Sequence, residues 1–150
     1  MTFSDEGLVL ELRRVLPAAR PRVFEALSEP EKLVRWWGPH GFTTPAAEWD
    51  LRVGGSYRLT MQPPDGEAFH LAGEFREVDP PGILDFTFRW EEPDPDDRET
   101  LVRLSVADLD GSTELAVSQG VFATEARLAL HRDGWSDSLD KLEEMLSSEA

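Results

Sequence analysis

"TEARLALHRDGWSDSLDKLEEML", residues 124–146, decides the fold. Leu128, His131, Trp135, Leu139, Leu142 and Leu146 recur at spacings of three and four, which stack into one continuous apolar stripe on an α-helix. The spacing predicts a helix over roughly 124–147, opened by Thr124 as N-cap, whose hydroxyl can accept a bond from a free N–H of the first turn. A helix with one apolar stripe has to lie across a second apolar surface, and the rest of the chain has to supply it.

Upstream, the sequence supplies a sheet. "GLVLELRRVL" (7–16) alternates Leu8, Leu10 and Leu12 with Val9, Glu11 and Arg13, the period of a strand with one better-buried face. Two short helices should follow. Pro21 suits the first turn of one that carries Val23, Phe24 and Leu27, and Ser28 with Glu31 reads as a capping box for a second that begins at Pro30. That second helix would carry Leu33, Trp36 and Trp37 and stop at Gly38-Pro39. The period then changes. "AAEWDLRV" (46–53) runs to a turn at Gly54-Gly55, and "SYRLTMQ" (56–62) puts Tyr57, Leu59 and Met61 on one face. Asp65-Gly66, Pro80-Pro81-Gly82 and Asp110-Gly111 mark turns between "FHLAGEFREV", "ILDFTFRW", "TLVRLSVADL" and "STELAVSQ", an antiparallel meander. Within "ILDFTFRW", Leu84, Phe86, Phe88 and Trp90 share the apolar face, and Asp85, Thr87 and Arg89 should face water. The fold class expected is α+β: a curved antiparallel β-sheet wrapped around a long C-terminal helix, with two short helices after the first strand.

Composition narrows the function. The 150 residues read as one domain, 1–150, with no internal repeat or low-complexity linker. Cysteine is absent, which removes disulfides, thiolate nucleophiles and Cys-ligated metals and suits a cytoplasmic protein. The N-terminal stretch lacks the basic-then-apolar pattern of a secretion signal, and no segment approaches the roughly 20 apolar residues that span a bilayer. A net charge of −15 repels phosphate backbones and anionic lipids, so neither nucleic acid nor membrane is an expected partner. Lys32 and Lys141 are the only lysines, Ile83 the only isoleucine, and asparagine is missing, a usage that points to a GC-rich bacterial genome. The motifs G-x-S-x-G, H-E-x-x-H, G-x-G-x-x-G and G-x-x-x-x-G-K-[ST] are all absent. His40, His70 and His131 have no local partner at metal-ligand spacing, so neither metal nor cofactor is expected. "EEPDPDDRE" (91–99) lacks the glycine and terminal glutamate of a calcium loop and reads as a solvated hairpin loop.

The element order, with "RVFEALSEPEKLVRWWGP", "DLRVGGSYRLTM", "GEF", "ILDFTF", "TLVRLSV" and "HRDGWSDSLDKL", resembles the helix-grip (START-like, SRPBCC) superfamily. Within it, the chain is most similar to the branch named after the activator of heat-shock-protein-90 ATPase. The likeness runs from about Leu8 to Leu146, and its most specific pieces are the WWGP turn, the D-L-R-x-G-G-x-Y segment and the GW of the last helix. It implies a cavity between helix and sheet, open near the short helices and hairpin loops. It does not imply one chemistry, since similar folds serve as lipid carriers, hormone receptors, aromatase/cyclases and co-chaperone domains.

The candidate ligand-binding residues are Trp37, Trp49, Tyr57, Phe88, Gln119, His131 and Trp135. Trp36 reads as a plug in the core, and Trp37 as either a latch or a ring at the cavity mouth that stacks on a flat ligand. Trp49, Tyr57, Phe88 and Trp135 serve as core or as cavity wall, while Gln119 and His131 would orient a polar atom of the ligand. The leading reading is non-enzymatic binding of a small hydrophobic or aromatic molecule, with no catalytic residue assigned. A co-chaperone-like protein-binding domain is the second reading, although eukaryotic activators of that kind carry an additional N-terminal domain, and a chaperone partner is not expected. A cyclase or hydrolase that uses His131 as acid/base is the third. A homodimer stays open.

Overall fold

The computed structural model describes residues 8–148. Seven strands form one antiparallel sheet: β1 (Leu10–Leu16), β2 (Thr43–Trp49), β3 (Ser56–Gln62), β4 (Phe69–Asp79), β5 (Ile83–Trp90), β6 (Thr100–Leu109) and β7 (Ser112–Gly120). Their order across the sheet is β1-β7-β6-β5-β4-β3-β2, so the meander from β2 to β7 is completed when β1 pairs with β7. Helices α1 (Arg20–Ser28) and α2 (Pro30–Leu33) lie between β1 and β2, and α3 (Glu125–Ser148) closes the chain. This is the expected architecture.

The long helix follows its stripe. Leu128, Trp135, Leu139, Leu142, Met145 and Leu146 are buried, and they join Leu59, Leu84, Phe86, Leu104 and Val117 of the sheet in one core. Thr124 caps α3 as expected, its Oγ1 accepting from the Arg127 N–H at 3.1 Å.

Four expectations need correction. Ser28 is the last residue of α1, and its hydroxyl donates to Phe24 O at 2.7 Å, so it forms no capping box with Glu31. A hydroxyl one turn after a carbonyl satisfies itself locally, and this bond competes with capping. Helix α2 is only four residues long, and the tryptophans sit in the turns after it, with the Trp36 and Trp37 N–H groups both bonded to Leu33 O at 3.2 and 3.1 Å. The strand expected over 46–53 starts earlier and ends at Trp49. Beyond it the backbone folds on itself, Arg52 N–H to Asp50 O at 2.9 Å and Gly55 N–H to Arg52 O at 2.8 Å, leaving Leu51 and Val53 exposed. Gly54 has φ +84°, and at Gly55 a Cβ would stand 2.0 Å from Asp50 O, so the double glycine serves two separate needs. Strand β2 is an edge strand that carries Pro45, and its register with β3 shifts between Thr43 and Ala46.

The fourth correction concerns the polar face of β5, where Asp85 and Thr87 are buried rather than solvated. Strand β5 is the central one of seven, and long side chains of its neighbours cover it. Arg103 places its guanidinium on Asp85 with two bonds of 2.8 and 2.7 Å. Thr87 Oγ1 accepts the Glu74 N–H at 2.9 Å, beside the irregularity in the β4–β5 pairing at Phe75/Glu77. Each buried polar group thus has a partner on the adjacent strand.

Candidate ligand cavity between the sheet and the C-terminal helix

Between α3, the Trp37–Phe42 turn and the inner face of β3–β5 lies a cavity of about 380 Å³, inside the ~300–1,000 Å³ range of small-molecule sites. Its buried wall is made by Trp37, Met61, Phe88 and Trp135, with Ser138 the polar exception. Phe42, Phe69, His70, Trp90 and His131 continue the wall toward solvent, Glu92, Asp94 and Leu130 form the exposed rim, and Arg127 and Asp97 lie largely buried beneath it.

The indole pair is positioned from two sides. Gly38, which ends the α2 turn, gives its N–H to Ser138 Oγ at 3.0 Å and receives the Ser138 hydroxyl on its carbonyl at 3.1 Å, which fastens the turn to α3. Trp135 donates Nε1–H to Gln119 Oε1 at 2.8 Å, and Gln119 Nε2 donates to Thr100 Oγ1 at 2.9 Å, so a buried chain of bonds ties the ring to β7 and β6. Trp37 then packs edge-on against Trp135 with centroids 5.2 Å apart and an interplanar angle of 76°. Edge-to-face contact of this kind is favourable beyond the area it buries.

Of the seven candidate residues, Trp37, Phe88, His131 and Trp135 line the cavity, and Trp49, Tyr57 and Gln119 do not. Gln119 is fully buried and spends its amide on Trp135 and Thr100, which makes it a support for a wall residue. Tyr57 donates its hydroxyl to Thr87 O at 2.6 Å, across Gly73, where a Cβ would stand 2.7 Å from the ring and 2.0 Å from Thr87 O. Burial raises the phenol pKa well above its usual value. Trp49 donates Nε1–H to Ser28 O at 2.8 Å and packs on Phe75, joining the end of α1 to the sheet. Trp36 is the plug expected: it is fully buried and bonds Ala26 O at 2.8 Å.

His131 sits among aromatic rings, with centroids 5.0 Å from Phe122, 5.2 Å from Phe88 and 5.9 Å from Trp90. Burial, with the Arg127 charge one turn away adding to it, lowers its pKa from 6.5 to about 4. At neutral pH it is an uncharged imidazole.

The 91–99 segment is the exposed hairpin loop expected between β5 and β6, tied down at one point. Arg127 reaches from the first turn of α3 to Asp94, to Asp96 at 3.0 Å and to Asp97 at 3.2 Å, and its side chain keeps only 13% exposure. Thr124 Oγ1 adds a bond to Asp96 at 3.1 Å. The loop is therefore fixed over one side of the cavity. Sequence reading also passed over Met61 and Trp90 as wall residues, although strand alternation had put both on the apolar face. Ser138 and the rim acids carried no such signal.

Among the described residues one group has the chemistry to hold a metal. The ligand atoms of His40, Asp137 and Asp140 lie within 4.8 Å of one another, assembled by the fold. They already have partners, His40 Nε2 with Asp140 at 3.4 Å within the group and Arg14 with Asp140 at 3.0 Å from outside it, and the group lies outside the cavity lining. No buried side-chain nitrogen or oxygen lacks a hydrogen-bond partner among the described residues. No helix among them is long and apolar enough to cross a membrane.

A curved antiparallel sheet gripping one long helix, with an aromatic cavity between them, defines a helix-grip domain of the START-like (SRPBCC) class, a class of ligand-binding domains in general. The chain belongs to the family of Activator of Hsp90 ATPase homolog 1-like proteins, whose model matches residues 17–147. Solved structures agree. The AHSA1 protein of Silicibacter pomeroyi is 30% identical, with 95% of this chain and 99% of that one covered at a TM-score of 0.83. A protein of Chromobacterium violaceum is 26% identical over 93% and 97% of the two chains, TM-score 0.84, and one of Nitrosomonas europaea is 27% identical over 97% of each, TM-score 0.81. No curated protein matches the chain significantly.

Proposed function

We propose that the protein binds a small hydrophobic or aromatic molecule in this cavity and catalyses no reaction on it. The observation that carries the reading is a wall of Trp37, Phe88, Trp90 and Trp135, in which the Ser138–Gly38 bonds fasten the Trp37 turn to α3 and the Trp135–Gln119–Thr100 bonds fix Trp135. Pre-formed aromatic walls lower the ordering cost of binding. Against the acid/base reading stands the burial of His131, which lowers its pKa to about 4, below the range that suits proton transfer near neutrality. The reading places the protein in a bacterial cytoplasm and includes no nucleic-acid, membrane or chaperone partner.

The test uses a neutral environment-sensitive dye such as Nile red, followed by fluorescence titration. Trp36→Ala and Trp37→Ala should each lower stability by roughly 3–5 kcal/mol, the usual cost of deleting a buried aromatic, but only Trp37→Ala should weaken dye binding, at least fivefold, under conditions where urea unfolding shows both variants still folded. A dye that ignores the native protein, or binds Trp37→Ala as well as wild type, refutes the proposal.

A further inference from the structure

The cavity is two-toned: its interior is aromatic and its rim is acidic. Glu92 and Asp94 line the exposed edge of the cavity, and Asp97, its side chain only 8% exposed, lies beneath them against the single guanidinium of the lining, Arg127. That guanidinium is already engaged by Asp94, Asp96 and Asp97, and Asp96 holds a second bond from Thr124, so the loop carries more negative charge than the arginine neutralises. Glu92 is exposed and has no ion pair among the described residues. Inside, His131 is uncharged at neutral pH, and Ser138, the buried polar side chain of the lining, is committed to the Gly38 backbone. Among the described residues the lining carries one further histidine, His70, but no uncommitted guanidinium or ammonium to meet a ligand carboxylate or phosphate, which would also cross a field set by three carboxylates and a net charge of −15.

We propose that the cavity selects a cation: an amine or quaternary ammonium on an aromatic or short alkyl body, with the body against Trp37 and Trp135 and the charge between Trp90 and the Glu92–Asp94 rim. The proposal rests on the cavity-binding reading above and adds the ligand class to it. Tryptophan faces attract cations through their quadrupole, and aromatic cages with carboxylates nearby suit substituted ammonium groups, which shed water more readily than a compact ammonium. A full-length anionic lipid is excluded by the same charges, and a neutral greasy molecule would leave the rim unused.

Three probes that share one body separate the possibilities: (1-naphthylmethyl)trimethylammonium, 2-(1-naphthyl)ethanol and 1-naphthylacetate, each competing with Nile red on the full chain. The cation should bind at least tenfold tighter than the alcohol, and the acetate most weakly. Raising the ionic strength should erode the cation's advantage and leave the alcohol unchanged. Glu92→Gln should cut the cation's advantage about threefold or more, whereas Glu11→Gln, on the distant β1 edge, should not, which separates the rim from the general charge of the protein. If the alcohol binds as tightly as the cation, or the acetate binds best, the cation proposal is overturned while the cavity reading stands. Equal effects of Glu92→Gln and Glu11→Gln overturn it too, because the attraction would then be global. If neither dye nor any probe binds, the cavity reading itself fails and takes this inference with it.

Discussion

His131 carries a penalty that only acid exposes. Burial among Phe88, Trp90 and Phe122, with a smaller contribution from Arg127, lowers its pKa from 6.5 to about 4. Between those two values the unfolded chain binds a proton that the folded protein refuses. The number of protons bound is then larger in the unfolded state, so stability rises with pH across the window. The penalty is absent above pH 6.5, grows as the pH falls, and is complete below about pH 4. Each pK unit of difference corresponds to about 1.4 kcal/mol, which gives roughly 3 kcal/mol when complete and about 2 kcal/mol at pH 5. His131→Gln removes the titration while keeping a polar group of similar size. Urea unfolding of wild type and variant, read by tryptophan fluorescence at pH 7.5 and pH 5.0, isolates the effect, because both proteins share every carboxylate. Wild type should lose about 2 kcal/mol more than the variant between the two conditions. Imidazole proton shifts in an NMR titration give the same pKa directly. Equal losses in the two proteins, or an imidazole that titrates above pH 6, would refute the buried neutral histidine and reopen a proton-transfer role for it.

Three further outcomes follow from the packing. Gln119→Leu strands the Trp135 N–H and the Thr100 hydroxyl, at about 1–3 kcal/mol for each buried orphan, and should lower the melting temperature by several degrees; an unchanged melt would mean the Trp135–Gln119–Thr100 chain is dispensable. Gly54→Ala should cost roughly 1 kcal/mol for its positive φ, and Gly55→Ala clearly more, because its new Cβ meets the Asp50 carbonyl at 2.0 Å while Gly54 faces open space; denaturation midpoints in the reverse order would disprove the clash. Ser28→Ala should change stability by less than about 0.5 kcal/mol, against the roughly 1 kcal/mol of a lost cap, since the hydroxyl serves only its own helix.

Periodicity made the scaffold legible. The stripe from Leu128 to Leu146 and the alternation in β3 and β5 follow from helix and strand geometry alone, and the glycine and proline turns set the order of the meander. Period gives the direction in which a side chain leaves its element, and nothing about what it meets. Gln119 and Tyr57 do point inward, but their partners, Thr100, Trp135 and the Thr87 carbonyl, are 16 to 30 residues away in sequence, and those partners decide that neither residue faces the cavity. Arg127 is similar. Its aspartates lie about thirty residues upstream, so the loop over the cavity reads locally as a hydrated run of acids. Asp85 failed for a different reason: alternation assigned it to the outer face correctly, but an outer face at the centre of seven strands is covered by Arg103.

Pro45 has a bearing on how copies of this protein meet. A strand at the margin of a sheet offers unpaired N–H and C=O groups to any extended chain, and a second molecule can add itself there, the first step of sheet-to-sheet aggregation. On β2 that invitation is withdrawn: Pro45 has no N–H to offer, and the slipped register between Thr43 and Ala46 puts the remaining groups out of step with a regular strand. Continuous sheets across two molecules would therefore have to form through β1, at the opposite margin. Replacing Pro45 with Val or Thr would remove one of the two obstacles on the β2 side and leave a β-branched strand with more of its backbone free to recruit a neighbour.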